Sequence, residues 1–575
     1  GGGDQRMLIQ RLREAADQRS DLPPPYYRYR AVRWAIYLDA DGYPTSEELA
    51  DLSGADQPAG IQLPAPYVYR AGRKPPAALL VDSLQYVLGM PKDTTDKEIA
   101  EAKRRCEDYV DLIARWRESA PDDPVAQAVH AFFARGGMLP IPEQAKPTDT
   151  VAIWACGQWA HLRPSAVEFW GTVVRGRKST GAAGICLACG QPGALLDTLP
   201  ESIKAGAIPA VGGRGHDAQL VSINKPAQGR GGKIQLANTP ICDVCGNRAM
   251  AALNAMLADD AHRRRLRDSV MVWWLRDPSD GFNYMVLDEP QPEDVRALLD
   301  LLDTPRAWQA EVFDHNAFYG LTMSVNQSRV VIRDWLEVPV QQVKLNIARW
   351  FADHRSVDRW RDGLHVVPLW QLIRAAGRWD TVRDTYIADS EPHSCGRDLL
   401  MAAPRGTRLP AYLLPHLLRR IRADHHLDLP RAALLRLILN RSNPKVECPP
   451  MLNPDGPVPY QCGRLFAVFE AMQRQAIDNL NTTIADKFLG AASITPRPIL
   501  LTLRRTAQGH LKKLRRKKPG AAIALEARFQ EITDRLDDYP ATLQLADQAQ
   551  FFLGYDHQRA YDAAARAAKA ATNDN

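Results

Sequence analysis

The sequence predicts an α+β chain in four parts: a mixed α/β N-terminal domain (7–180), a cysteine-knuckle and Gly-rich loop insertion (181–250), a mainly helical middle region (251–445) and a C-terminal helical bundle (460–575). Three observations predict it. Apolar residues alternate with period 2 near the start. Two CxxCG units stand far apart in the chain. Beyond residue 460 the apolar period becomes 3.6, after a stretch crowded with Pro444, Pro449, Pro450, Pro454, Pro457 and Pro459. At 575 residues the chain exceeds what one hydrophobic core organises, so about two to four domains are expected.

The alternation lies in residues 26–38, where Val32, Trp34, Ile36 and Leu38 interleave with Arg33, Ala35 and Tyr37. Asp41 and Gly42 then supply a hairpin turn, because glycine accepts positive φ. A further short strand is expected over Tyr67, Val68 and Tyr69, ahead of the Gly72–Pro76 loop. Thr95 and Glu98 have capping-box spacing. Ile99, Ala102, Cys106, Val110, Ile113 and Trp116 follow at helical intervals and predict an amphipathic helix. Residues 205–233 are basic and Gly-rich and read as a mobile loop. The proline-rich stretch reads as the linker into the bundle, and the Ala-rich tail as a fraying end.

The nine cysteines are few for this length. Cys186 and Cys189 form one close pair, Cys242 and Cys245 the other, and a glycine follows each pair. Two thiolates separated by two residues can grip one tetrahedral ion. Two such pairs make a closed four-thiolate shell, so a structural Zn2+ is expected and the 181–250 segment is a zinc knuckle. The 52 residues between the pairs require an inserted loop, which the Gly-rich region provides. Four reduced, unmetallated thiols are the plainer alternative. A redox dithiol needs only one CxxC, and a catalytic zinc needs an open ligand position.

Residues 497–518 contain nine Lys or Arg and no acid. Leu500, Leu503, Ala507, Leu511 and Leu514 step by three and four, which marks a core face. Arg504, Arg505, Lys512, Lys513, Arg515, Arg516, Lys517 and Lys518 lie mostly off that face. A solvated helix face normally mixes signs, and a run without a carboxylate repels itself. Such a face neutralises phosphates and binds nucleic acid in a salt-sensitive way. Net charge is a modest +6, so the argument rests on this local excess.

No GxxxxGK[ST], HExxH or GxSxG motif is present, so a non-catalytic chain is expected. His425 and His426 stand beside Asp424 and Asp428, but adjacent helical side chains diverge by about 100° and do not share an ion readily. No apolar run approaches the ~20 residues of a membrane span, and residues 1–18 have no apolar run after their charges, so no membrane partner, no secretory signal and a cytoplasmic location are expected. Residues 1–6 read as an extension before Met7.

Five segments, in order, resemble the large subunit of the type I-C CRISPR Cascade complex. They are MLIQ with the later LPPP and WAIYLDADG; RAGRKPPAALLVDSLQYVLG at 70–89; GICLACGQPG with LVSINKPA at 220–227; FYGLTMSVNQSRVVIRDW at 318–335; and CGRLFAVFEAMQRQAIDNLNTTIADKFLGAAS at 462–493. The resemblance implies a non-enzymatic subunit at the foot of a guide-RNA complex active in antiviral defence. Its partners would be crRNA-bound backbone subunits, a small subunit, double-stranded target DNA with its displaced strand, and a helicase–nuclease. Guide pairing would supply most of the specificity while the protein reads the PAM and supports R-loop formation.

The resemblance also implies that the C-terminal bundle is like the separate small subunit, with Met451 or Met472 as candidate internal starts. In the family the cysteine region need not hold metal. Arg73 and Lys74, and Asn224 and Lys225, are candidate PAM contacts because groove edges need donors; alternatively LVSINKPA is a packed strand end. Ser324, Asn326, Arg329 and Arg333 read as fold or interface residues. A zinc-ribbon nuclease acting alone is the alternative function.

Overall fold

The computed structural model describes residues 2–68, 70, 74–210, 217–303, 316–326, 329–442 and 448–573. It is an α+β structure whose contacts divide it into two units. The first comprises residues 1–276 with 319–336; the second comprises 277–318 with 337–575.

The first unit opens with α1 (Gly2–Asp17), β1 (Tyr27–Val32), β2 (Trp34–Leu38), β3 (Ala50–Asp51), β4 (Ile61–Pro66) and β5 (Asp82–Ser83). There follow α2 (Leu84–Val87), α3 (Asp96–Ser119), α4 (Pro124–Ala134), β6 (Thr150–Ala155), β7 (Gln158–Trp159) and α5 (Pro164–Lys178). The expected strand over 32–38 is two strands that serve different sheets. β2 pairs in parallel with β6 inside the order β3-β2-β6-β5, with β7 also on β6. β1 pairs antiparallel with β4, Tyr27 opposite Pro66. The turn after β2 is as expected: Gly42 N–H donates to Asp39 at 3.1 Å, and Gly42 has φ +79°.

The strand expected at Tyr67–Tyr69 is not there: β4 ends at Pro66, Tyr67 and Val68 lie outside any strand, and Tyr69 is outside the described residues. Pro64 and Pro66 weakened the strand signal, yet a two-stranded ribbon tolerates them where no donor is required.

Thr95 caps α3, accepting from Glu98 N–H at 3.3 Å. The buried stripe is Ala102, Tyr109, Leu112, Ile113 and Trp116. Ile99 is exposed because the first turn of α3 extends past the core, and Cys106 and Val110 are half-buried because Tyr109 and Leu112 take the centre of the buried face. That core gathers Tyr27, Trp34, Ile36, Trp116 and Trp170. Their polar edges are satisfied: Trp34 Nε1 donates to Asp149 at 3.0 Å, and Trp170 Nε1 to the Tyr26 carbonyl at 3.1 Å.

β8 (Ser179–Ile185) and β9 (Pro192–Leu196) form a hairpin, followed by the long excursion to α6 (Asp243–Ala258). The excursion is not featureless. Ile203 and Ala218 exchange backbone hydrogen bonds of 2.7 and 2.9 Å, and Pro226–Gln228, Arg230–Gly232 and Gln235–Asn238 are 3-10 turns. At Gly229 a Cβ would sit 1.5 Å from the Lys233 carbonyl, so no side chain fits. Gln219 bridges to Arg329 of the last sheet, whose order is β10 (Arg263–Arg265), β11 (Ser269–Leu275), β12 (Ala317–Asn326), β13 (Arg329–Pro339). Arg333 Nε donates to Ser324 Oγ across β12 and β13 at 2.7 Å, and Arg329 donates to Gln228 at 3.2 Å, so these side chains hold the fold.

The second unit is mainly helical: α7 (Pro292–Asp300), α8 (Val340–His354), the ribbons β14 (Ser356–Val357) with β15 (Leu364–His365) and β16 (Trp379–Asp380) with β17 (Thr385–Tyr386), α9 (Leu369–Ala375), α10 (Cys395–Arg405), α11 (Leu413–Asp424) and α12 (Leu429–Ser442). The final run is α13 (Val458–Ala476), α14 (Ile484–Ala492), α15 (Pro496–Lys517), α16 (Pro519–Thr533) and α17 (Leu545–Asn573). α13 is buried along most of its length. It crosses α17 at glycines: a Cβ on Gly463 would lie 1.9 Å from the Phe551 carbonyl, and one on Gly554 would lie 2.0 Å from that of Tyr460.

The described part of the proline-rich stretch is bonded on both sides. Pro450 O accepts from Val357 N–H at 3.0 Å, and Gln461 Nε2 donates to Pro454 O at 2.8 Å. Prolines lack N–H but keep their carbonyls, which makes them acceptors here. Fully buried Arg436 gathers the carbonyls of Cys448, Ala352 and Arg355. Buried His557 meets Tyr460 OH at 2.9 Å and Ser356 Oγ at 3.4 Å.

Burial, helped by Arg436, pulls His557 down to about 3. A depressed histidine is neutral in the fold and charges in the unfolded chain, so its contribution falls as pH drops below about 6.5. Between pH 6.5 and about 4.5 the wild type is therefore expected to lose about 2 kcal/mol more than H557Q. Urea titrations at the two pH values measure the difference, and equal acid limbs would refute it.

Candidate metal centre and nucleic-acid interface

The β8–β9 turn builds half of the metal centre. Gly190 N–H donates to Cys186 O at 2.8 Å, Cys186 N–H to Gln191 O at 3.0 Å, and Ala188 N–H points to Cys186 Sγ at 3.4 Å. Gly190 has φ +72°, the left-handed conformation that closes the curl. The other half is the start of α6, where Cys242 precedes the first turn and Cys245 lies within it. Gly246 does not repeat the role of Gly190. It is helical, and a Cβ there would come 2.7 Å from Leu196, so it is small to let α6 approach β9.

Backbone bonds join the halves: Leu187 N–H to Pro240 O at 2.9 Å and Leu196 N–H to Ile241 O at 2.9 Å. The four sulfurs all lie within 4.8 Å of one another, with Cys189 and Cys242 at 4.0 Å. A tetrahedral ion with bonds of about 2.3 Å needs sulfurs about 3.8 Å apart, which a small inward turn of the thiols reaches. Burial opposes ionisation of Cys242, pushed up to about 11, and of Cys245, pushed higher still. At Cys186 burial is outweighed by backbone N–H groups of Cys242, Cys189 and Ala188, which hold it at about 7. Four thiols in one buried spot want a dication to stabilise their ionised forms. Cys186, Cys189, Cys242 and Cys245 are thus brought together and can hold a metal ion, with no ligand position left over.

α15 buries Leu500, Leu503, Ala507, Leu511 and Leu514, the expected core face, together with Pro496. Arg504, Arg505, Lys512, Lys513, Arg515, Arg516, Lys517 and Lys518 are all exposed. Neighbouring elements neutralise part of this charge, which sequence reading missed because the acids lie elsewhere in the chain. Arg515 pairs with Glu526 of α16, and Lys517 reaches Asp478 at 2.9 Å. Asp478 is accordingly held below the usual carboxylate range, by Lys517 first. Arg504 lies over the Phe529 ring at 5.5 Å. Arg505, Lys512, Lys513, Arg516 and Lys518 form no ion pair among the described residues, so five cations still face outward.

Of the candidate PAM contacts, Arg73 lies outside the described residues. Lys74, Asn224 and Lys225 are exposed. Asn224 Oδ1 accepts from Ser222 Oγ at 3.3 Å and Gln235 Nε2 at 3.0 Å. The segment is therefore no strand end; it is an ordered turn. The His425–His426 pair is structural: His425 ends α11 at φ +50°, and His426 stacks on Trp379 at 3.6 Å. Sequence reading also passed over Arg28, Arg30, Arg70 and Lys204, which line one cleft of about 650 Å3. The alternation in Tyr27-Arg28-Tyr29-Arg30 was the available signal.

No helix among the described residues is long and apolar enough to cross a membrane. No curated protein matches the chain. The family model described as CRISPR-associated protein (Cas_Csd1) matches residues 8–561, nearly the whole chain, and the protein therefore belongs to that family.

Proposed function

We propose that this protein is the non-catalytic large subunit of a type I-C Cascade complex. In this reading it works in the cytoplasm, binds target DNA, reads the PAM, supports R-loop formation and recruits the helicase–nuclease. Its other partners are crRNA-bound backbone subunits and a small subunit. The observation that carries the reading is the outward face of α15, with five cations that form no ion pair among the described residues. Counterion release from phosphates is the gain such a face offers. Lys74, Asn224 and Lys225 supply the donors that groove edges require. A structural Zn2+ in the four-cysteine shell holds the base of the 190–241 excursion, which carries two of those donors. Were a small subunit also initiated internally, Met451 is the better start: beginning at Met472 would delete most of α13, the buried centre of the bundle.

The test is charge reversal in the full chain, K512E/K513E/R516E, assembled with its partners. Affinity for target duplex is expected to fall at least about tenfold at moderate salt. The slope of log affinity against log salt should shrink by roughly 2 to 3. Unchanged affinity and slope, with helicity intact, would leave the chain a scaffold. Cleavage of DNA by the chain alone with a divalent metal would favour a zinc-ribbon nuclease instead.

A further inference from the structure

Arg28 and Arg30 stand on the same face of β1, two residues apart. Opposite them on β4 are Ala65 and Leu63. Ala65 is fully buried against Val32, and beside it Arg28 and Arg30 line the 650 Å3 cleft. Arg70 enters it from beyond β4, and Lys204 and Asp217 from the two sides of the Ile203–Ala218 bridge. Tyr29 and Tyr67 complete the polar rim.

The charge inside is unbalanced. Arg70 is matched by the buried carboxylate of Asp82. Asp217 is already engaged: it accepts from Ala205 N–H at 2.9 Å, from Ser202 Oγ at 3.2 Å and from Tyr67 OH at 3.4 Å. Glu201 is fully buried nearby, and burial pushes it up to about 7, which mutes its charge. Arg28 lies over the Tyr67 ring at 5.0 Å and forms no ion pair among the described residues; nor does exposed Lys204. Arg30 donates to Thr150 Oγ1 at 2.9 Å. Burial, with Arg70 and Arg28 nearby, outweighs the attraction of Asp82 and makes its protonated form harder to keep. Clustered guanidinium groups facing one space repel one another, and an anion placed between them relieves that repulsion.

We infer that this cleft binds the phosphodiester backbone of a nucleic-acid strand, with Arg28 and Lys204 as phosphate contacts. Its volume is ligand-sized, so one strand enters and a whole duplex does not. Arg28 suits a phosphate because its planar fork donates twice, while the Tyr67 ring fixes its plane. The site belongs to the first unit, and α15 to the second. The inference rests on the reading of the chain as a DNA-binding subunit and adds a second surface to it.

The experiment uses the full chain and labelled oligomers of one length: single-stranded DNA, duplex DNA and RNA. R28E/K204E is expected to weaken binding of a single strand, DNA or RNA, about tenfold and to leave the duplex least affected. The salt slope should fall by about 1.4 for a single strand, two phosphates at about 0.7 each. R28Q/K204Q, a milder change, should give about half that loss and guards against misfolding, with helicity and thermal midpoint as the check. Unaltered affinity and slope for both single strands, whatever the duplex does, would overturn the inference. So would displacement of the oligomer by inorganic pyrophosphate at equal phosphate and matched ionic strength, which would mark a pocket for small free anions. If the α15 reversal weakens DNA binding and the cleft variants do not, the cleft inference alone fails. If neither does, the DNA-binding reading fails with it.

Discussion

Replacing Gly554 or Gly463 with alanine is expected to destabilise the helical unit by about 2 kcal/mol. Two effects compete. Alanine favours a helix over glycine by about 1 kcal/mol. Against this, the new methyl would stand 2.0 Å from Tyr460 O at Gly554, or 1.9 Å from Phe551 O at Gly463. Both obstacles are backbone, which cannot turn aside as a side chain does. The helices must separate, and overpacking typically costs about 1–3 kcal/mol, occasionally more, with backbone obstacles such as these at the upper end. α13 is buried along the bundle, so its displacement also loosens Phe466 and Phe469. Gly509 of α15 is the control. Nothing lies within 4 Å of a Cβ there, so G509A should gain up to about 1 kcal/mol. Chemical denaturation of the three variants measures this. A neutral G554A would mean that α13 and α17 do not cross in contact.

Loss of metal is the second large effect. Zinc should be present at about one ion per chain, and C242S or strong chelation should remove it. The backbone bonds from Leu187 to Pro240 and from Leu196 to Ile241 remain, so the knuckle should open locally and the whole unit should stay folded. Amide exchange in 186–196 and 240–246 is expected to quicken by about 100-fold, about 3 kcal/mol of local opening. Replacing Cys106, which lies outside the cluster, should change neither zinc content nor exchange. Purified chain without zinc, or with exchange indifferent to chelation, would refute the centre.

The parts of the site written into short stretches of chain were legible. Each CxxCG unit is local, and pairing the two required only that four thiols could share one ion. The core face of α15 followed from its leucine spacing, and so did the outward direction of its cations. Residues whose role depends on distant partners were not legible. Glu526 and Asp478 reduce the charge of α15 from other elements. Gly246 looks like Gly190 in sequence yet serves packing, because α6 must approach Leu196. The stripe of α3 was misplaced at Ile99 because periodicity says which residues share a face, not where the core beneath it ends.

From the amino-acid order alone came the α+β class, the four-cysteine cluster, the helical C-terminal run and its cationic face. These depend on periodicity and spacing over a few turns, where covalent geometry fixes which side chains lie together. Tertiary structure decided the division into two units, the strapping of the proline-rich stretch, the glycine crossing of α13 and α17, and the meeting of Arg28 with Lys204 in one cleft. Those depend on which surfaces bury one another, a long-range choice that no local window of sequence contains.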